Sequence, residues 1–434
     1  MTILFTNVTA ATMDPAAPLL KNGYVAVKDA FITYVGADRP VGDFDRTIDC
    51  TGKVMMPGIV DAHTHVPMTI LRGYGGGHDL QHWLNDYIFP AEAKLDGRCV
   101  KAGTDLAMAE LIASGVTCIA DMYYFCGDIA RSVAEAGISA NLSRSVTIFE
   151  HTDDPANFNS CKEMRELVDE WHGFDDGRIL IDASIHGEYT SFLCPEMWEY
   201  LGNYAGQHGL GMQVHVSETV SEHEECKARH NGKTPVQILD QYGVWQNGGV
   251  AAHCVWVTEE DMDLMAKRNI TAVHNPASNL KLGSGIAPIP ELMKHGVNVA
   301  LATDGVASNN SHNMFEEIKL AAMLHNIKDH DPTVVPARQA LTMATVNGAK
   351  ALGRNTGVVA AGKVADLILL DFTDPALTPC HDVEENLVFS TNPGHVCMNM
   401  ARGRIIYENG QFLTLDLDRI RSEVQDYALP HMFG

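Results

Sequence analysis

The chain has 434 residues, 46% of them hydrophobic and 20% charged, which is enough apolar material for one large core. Its net charge of −24 repels phosphate backbones and anionic lipid heads, and no local Lys/Arg cluster offsets it, so neither nucleic acid nor a membrane surface is the expected partner. A small-molecule ligand in the cytoplasm is expected instead: MTILFTNVTAATMD lacks the parts of a signal peptide, and no stretch approaches the roughly 18 uninterrupted apolar residues of a spanning helix.

The first fifty residues read as short strands broken by turns: ILFTNVTA, YVAVKD, FITYVG and TIDC, with Gly, Pro and Asp between them. The same texture returns after Gly362 in ADLILLDF, HVCMNMARG and RIIYENGQFLTL. The two chain ends, residues 1–57 and 362–434, are therefore expected to build one small composite β-sandwich domain into which the middle of the chain is inserted.

Residues 58–361 alternate short apolar runs with amphipathic stretches, the pattern of βα units around a parallel sheet. Eight runs are legible: GIVDAHTH, VTCIADMY, ISANLSRSV, ILIDASIH, GMQVHVSE, GVAAHCVW, ITAVHNP and VNVALATDG. Helical stretches such as Glu259–Arg268 and Met314–His325 follow them. The prediction is an α/β fold, a TIM (β/α)8 barrel, in which functional residues occupy the C-terminal ends of the strands. Ten cysteines are scattered from Cys50 to Cys397 without a Cys-x-x-Cys pair, as expected of buried thiols in a reducing compartment.

Six of the eight runs end in His or Asp: His63 and His65, His186, His215, His253, His274 and Asp304. One strand-end histidine is commonly a satisfied core residue. Six such ends are hard to explain by packing, because each buried imidazole needs its own hydrogen-bond partners. His63-Thr64-His65 sets two imidazoles on one side of a strand, where they can chelate one ion. His215 and Asp304 complete a nitrogen-and-oxygen set suited to one divalent metal per chain, Zn²⁺ first and Fe²⁺ or Mn²⁺ as alternatives, with a position left for water.

Such an ion lowers the pKa of its water from 15.7 to roughly 7, and a neighbouring base must then move the proton. Glu218, three residues after His215, is the candidate shuttle, the alternative being a helix-start carboxylate. His253 is a candidate to orient the water, the alternative being a core residue, and Asp304 a candidate to share the proton with Glu218.

The strings MPGIVDAHTH, IHGEYTS, HVSET, AAHCVW, HNPASNLKLGSGIAPI and ATDGVASNNS together resemble the amidohydrolase superfamily. Within it they are similar to the 5-methylthioadenosine/S-adenosylhomocysteine deaminases and their chlorohydrolase and aminohydrolase relatives, over nearly the whole chain. The resemblance implies a metal, zinc or iron, on His63, His65, His215 and Asp304, Glu218 as proton shuttle, His253 as its assistant, and a dimer or tetramer. It also implies substrate contacts: Glu92 to both ribose hydroxyls, His186 to the purine ring, and Arg144 to a homocysteine carboxylate. Trp83 is read as a wall of the base pocket or, alternatively, as a packing residue.

Two departures stand out. Where the family commonly has HAPYT, this chain has His186-Gly187-Glu188-Tyr189-Thr190, and after Arg144 the stretch IFEHTDDPANFN supplies Glu150, Asp153 and Asp154 but no second arginine. That charge disfavours an anionic tail. The leading expectation is hydrolytic deamination of an adenine-type nucleoside such as 5′-methylthioadenosine, 5′-deoxyadenosine or adenosine, with S-adenosylhomocysteine a poorer candidate. The near alternative is deamination or hydrolysis of a triazine, pterin, guanine or cytosine-like ring. A non-catalytic scaffold is the alternative from a different class.

Overall fold

The computed structural model describes residues 1–434 and is built from two sheets. All eight apolar runs form strands: β6 (Ile59–Thr64), β7 (Val116–Tyr123), β8 (Ser139–Arg144), β9 (Ile179–Gly187), β10 (Met212–Val216), β11 (Gly249–His253), β12 (Ile270–His274) and β13 (Val299–Leu301). They follow one another in spatial order and pair in parallel. Burial on both faces is the reason they read as near-continuous apolar runs, and every residue of β7 is buried. One face carries Ile119, Leu142, Ile181 and Val214 into the layer beneath the helices, while Val60, Cys118, Ala120 and Ala300 form a separate cluster of small side chains.

The eighth strand is only three residues long, so the barrel closes through side chains as much as through a ladder. Asp304 N–H donates to the His63 carbonyl at 3.0 Å, and Thr64 and Asp304 form an isolated parallel bridge. Beside it the Asp61 carboxylate accepts from Thr303 N–H at 3.0 Å and from the Thr303 hydroxyl at 2.6 Å. These contacts make a barrel from a curved sheet.

The chain ends supply β1 (Thr2–Ala11), β2 (Leu19–Lys28), β3 (Phe31–Gly36), β4 (Arg46–Asp49) and β5 (Lys53–Pro57), then β14 (Leu367–Asp371), β15 (Val396–Ala401), β16 (Arg404–Glu408) and β17 (Gln411–Phe412). They form a nine-stranded mixed sheet in which β5 pairs with β14, so the first and last segments share one ladder. This sheet has its own core of 16 buried residues, including Phe5, Met55, Leu369 and Met400. No helix is long and apolar enough to cross a membrane.

The βα loops cluster at the C-terminal end of the barrel. The longest, between β6 and β7, folds into consecutive helical turns Leu80–Trp83, Leu84–Ile88 and Phe89–Glu92 before the Gly97–Ala113 helix. Asp61→Ala should weaken the seam specifically, because the Thr303 N–H loses its acceptor, a buried orphan that costs about 1–3 kcal/mol, while the Thr303 hydroxyl keeps only its contacts to the Asp304 carbonyl and His312. The expected result is a lower urea midpoint at unchanged m-value. An unshifted midpoint would assign closure to the backbone contacts alone.

Candidate active site

The strand ends converge on a cavity. His65, His186, His215, Glu218, His253 and Asp304 line it, together with Trp83 and Glu92 from the long β6–β7 loop. His63 lies directly beneath, its ring centroid 4.8 Å from those of both His65 and His215.

Backbone alternation explains most of this aim. On β10, Gln213 and His215 face the barrel interior while Val214 and Val216 pack beneath the helices. His63 departs from it, following Ala62 of the inner cluster across a register irregularity between Asp61 and Thr64, and so does His253. Val250 belongs to the inner cluster and Ala251 to the outer core, so alternation would turn residue 253 outward. A left-handed backbone at His253 (φ 72°), continued by Cys254 (φ 50°), swings the ring into the cavity. Ser217 (φ 49°) and Asp304 (φ 65°) adopt the same uncommon conformation. Such backbone is costly for residues with a Cβ and persists only where the surroundings enforce it.

The nitrogen lone pairs are set by second contacts. His65 Nδ1–H donates to the Met122 carbonyl and His215 Nδ1–H to the His186 carbonyl, each at 2.6 Å. Both rings therefore present an Nε2 lone pair inward, and these two atoms stand 3.2 Å apart. His63 has no hydrogen-bond partner on either nitrogen. Asp304 Oδ1 lies 3.3 Å from His65 Nε2 and 3.6 Å from His63 Nε2, while its Oδ2 accepts from Ser278 and Ser308 at 2.6 and 3.0 Å. Lone pairs facing lone pairs, an orphaned buried imidazole and an adjacent carboxylate are what a divalent cation satisfies, and the buttressing of each ligand is typical of metal sites.

Glu218 stands above this group, with Ser284 Oγ donating to its Oε1 at 3.1 Å and His253 Nε2 3.6 Å from its Oε2. Burial raises its carboxyl above the ordinary value. The turn that aims it is held by Glu222, whose buried carboxylate accepts from the backbone N–H groups of Ser217, Glu218 and Thr219 at 2.9, 2.7 and 3.4 Å. Glu222 also completes a capping box with Thr219, a signal that the sequence carries as Thr-x-x-Glu. The ring of His253 is fixed at Nδ1 by Asn279 Oδ1, 2.9 Å away.

On the cavity's other side Glu92 has one oxygen buried without a partner, and burial pushes its carboxyl up to about 7. His186 offers Nε2 to the Tyr189 hydroxyl at 3.1 Å, and burial lowers its pKa to about 3, which keeps the ring neutral. Trp83 is buried against the cavity with its indole N–H on the Tyr74 carbonyl at 3.4 Å. Tyr123, Tyr124 and Phe89 complete the wall; nothing in the spacing of these aromatics distinguishes them from core residues.

Arg144 is a correction to the sequence reading. On β8 the residues facing inward are Asn141, Ser143 and Ser145, so Arg144 points to the helix layer, where its guanidinium binds the Glu163 carboxylate and the Ser145 carbonyl. It does not line the cavity. His274, the other strand-end histidine of note, likewise faces outward and packs against His325. Glu188, the unexpected carboxylate, is fully buried and accepts from Arg229 at 3.1 and 2.6 Å and from His230 at 2.8 Å. It clasps the loop after β9 to the helix Val220–Arg229 and leaves the cavity alone.

Fold and site define a barrel with a metal-type centre at its C-terminal mouth, and the chain belongs to the amidohydrolase family, whose model matches residues 54–406. It is similar to a 5′-deoxyadenosine deaminase of Methanosarcina acetivorans, 41% identical over 429 residues that cover 98% of this chain and 97% of that protein. It is also 38% identical, over 99% of both chains, to a 5-methylthioadenosine/S-adenosylhomocysteine deaminase of Thermoanaerobacter pseudethanolicus. Among solved structures it resembles an adenosine deaminase from Xanthomonas campestris with bound zinc, at a TM-score of 0.92 and 30% identity over 99% of this chain and 98% of that one.

Replacing His63 or Asp304 by Ala should remove metal and turnover together, read as metal content by elemental analysis and ammonia release on the same preparation. Full turnover by wild type verifiably stripped of metal by a chelator would show the reading of these ligands to be wrong.

Proposed function

We propose that this chain is a metal-dependent hydrolytic deaminase of adenine-type nucleosides, acting on 5′-deoxyadenosine, 5′-methylthioadenosine or adenosine and releasing ammonia and the inosine analogue. The observation that carries this reading is that one cavity is lined both by a proton-transfer carboxylate, Glu218, and by Glu92, which has one buried oxygen without a partner. Full-length similarity to proteins named as deaminases of such nucleosides supports it.

His63, His65, His215 and Asp304 would hold a single divalent cation, most simply Zn²⁺ given the three-nitrogen, one-oxygen set. The cation's contribution when bound is Lewis-acid activation of a water, bringing its pKa from 15.7 to about 7. The rest is done by the chain. Glu218 accepts a proton as the water oxygen bonds to the purine carbon that carries the amine. His253, held at Nδ1 and turned toward Glu218, orients that water from the side. As the carbon–nitrogen bond breaks, Glu218 returns a proton to the departing nitrogen, which leaves as ammonia. Its raised pKa suits both steps, because the group must be basic in the first and acidic in the second. The neutral ring of His186 faces the purine, and Trp83 walls it.

Glu92 distinguishes this reading from one with a simple heterocycle as substrate, since a ring without ribose would leave its buried oxygen unpaired. An enzyme of this kind works on a soluble cytoplasmic metabolite, in keeping with the net charge of −24.

Glu218→Gln keeps the shape of the side chain but cannot accept the proton, so kcat should fall about 10²–10⁴-fold while metal content is retained. A smaller loss at full metal occupancy would transfer the shuttle role to Asp304 or His253. For Glu92→Ala, charge-assisted bonds of about 1.5–3 kcal/mol each predict a far larger loss of kcat/KM for adenosine than for its 2′,3′-dideoxy analogue. Equal losses on the two would sink the ribose assignment.

A further inference from the structure

The acidic stretch from Glu150 to Asp154 lines no part of the reaction cavity, and it lies against the first turn of the helix that follows β9. There one donor atom from each of His151, Cys194 and Glu196 lies within 4.8 Å of the other two. Cys194 caps the 14-residue helix Pro195–His208, and Glu196 stands in its first turn. A helix N-terminus favours the thiolate over the thiol, and the thiolate is the form that binds a metal. Cys194 is fully buried, its one hydrogen bond is a long contact of 3.6 Å to the Thr152 carbonyl, and no group donates to its sulfur.

The imidazole is oriented by its outer nitrogen. His151 Nε2–H donates to Asp153 Oδ1 at 2.8 Å, so Nδ1 is the atom turned to Glu196 Oε2, 3.6 Å away. A carboxylate on the far nitrogen of a histidine is the usual outer contact of a metal-binding ring. His151 and Glu196 are each about half exposed, so an ion can enter from water on their side and seat on the buried sulfur. Bond lengths of about 2.0–2.3 Å in a tetrahedral zinc site put its donor atoms roughly 3.3–3.7 Å apart, and closing from 4.8 Å asks about 1 Å of two half-exposed side chains.

The donor types select among cations. Magnesium and calcium take oxygen shells, whereas sulfur and nitrogen together favour zinc and its surrogates cobalt and cadmium. The competing occupant is a proton on His151, shared between Asp153 and Glu196 in an ion-pair arrangement to which the thiol contributes nothing. Participation of sulfur therefore separates the two.

We propose that His151, Cys194 and Glu196 form a second metal site, separate from the strand-end centre, which takes one zinc-like divalent cation and completes its shell with water. The ion pins the loop after β8 to the helix after β9. These segments already meet where Ile148 N–H donates to the Thr190 carbonyl at 2.9 Å, and their neighbours Ser145 and Tyr189 line the cavity, so the clip lies at its rim.

The test uses cobalt, because the strand-end centre has no sulfur ligand and only the proposed site can give a thiolate-to-cobalt charge-transfer band in the near ultraviolet. Metal-free protein, its thiols kept reduced by a non-chelating phosphine, is titrated with Co²⁺ and followed by absorbance and by metal content. Wild type should take two equivalents, with the band growing alongside one of them. Cys194→Ala and His151→Ala should each take a single equivalent at wild-type affinity and lose the band at the concentration that saturates wild type. His151 is half exposed, so its variant reports even if the Cys194 variant fails to fold. A single equivalent in wild type, a second equivalent without the band, a band that survives in Cys194→Ala, or one unchanged in His151→Ala would overturn the site. None of these outcomes bears on the deaminase reading, which rests on the other equivalent.

Discussion

The geometry at the barrel mouth depends on how the first strand of the barrel meets the last. Asp61 and Thr303 lie 242 positions apart in the chain, and their two hydrogen bonds sit beside the Asp304 N–H to His63 carbonyl contact at the seam. Because β13 offers only three residues to a ladder, this local set of contacts brings the Asp304 carboxylate against the two imidazoles of β6. A carboxylate, three imidazoles and a second acid converge there under nearly complete burial. Polar groups in such density oppose folding unless each is paired, and the large core beneath the helices is what makes the concentration tolerable.

The aim of those groups comes from a further ring of contacts. Backbone carbonyls of neighbouring strands fix the tautomers of His65 and His215. Glu222 holds the turn beneath Glu218 by three backbone donors, and Asn279 fixes His253. Glu188 performs the same service one loop away through Arg229 and His230. The backbone contributes too: at Ser217, His253 and Asp304 it leaves the extended region at the point where the side chain must turn toward the cavity.

What could be read from the sequence follows from these causes. Parallel strands buried on both faces leave continuous apolar runs, so all eight were legible, and His-x-His needs only local alternation to be recognised as a chelating pair. The composite sheet was legible from the matching texture of the two chain ends, though not its order, which depends on β5 meeting β14. Arg144 was misread because a motif match carries no information about side-chain direction, whereas its parity on β8 with Leu142 rather than Asn141 or Ser143 does. Glu188 announced itself only as a departure, since its partners lie 41 and 42 positions away on another helix. Tyr123, Tyr124 and Phe89 left no trace, because an aromatic residue lining a cavity has the same sequence pattern as one filling a core.

The shared ladder of β5 and β14 has a consequence for the birth of the protein on the ribosome. Strands β1 to β5 emerge first, yet the edge of β5 that pairs with β14 stays bare until roughly 300 further residues have been made, a delay of about 15–60 s at 5–20 residues per second. During that interval Val54, Met55 and Met56 lie along an open strand edge, the kind of template onto which foreign strands add. The bare edge of β5 is thus a strand template that stays open through most of the synthesis of the barrel.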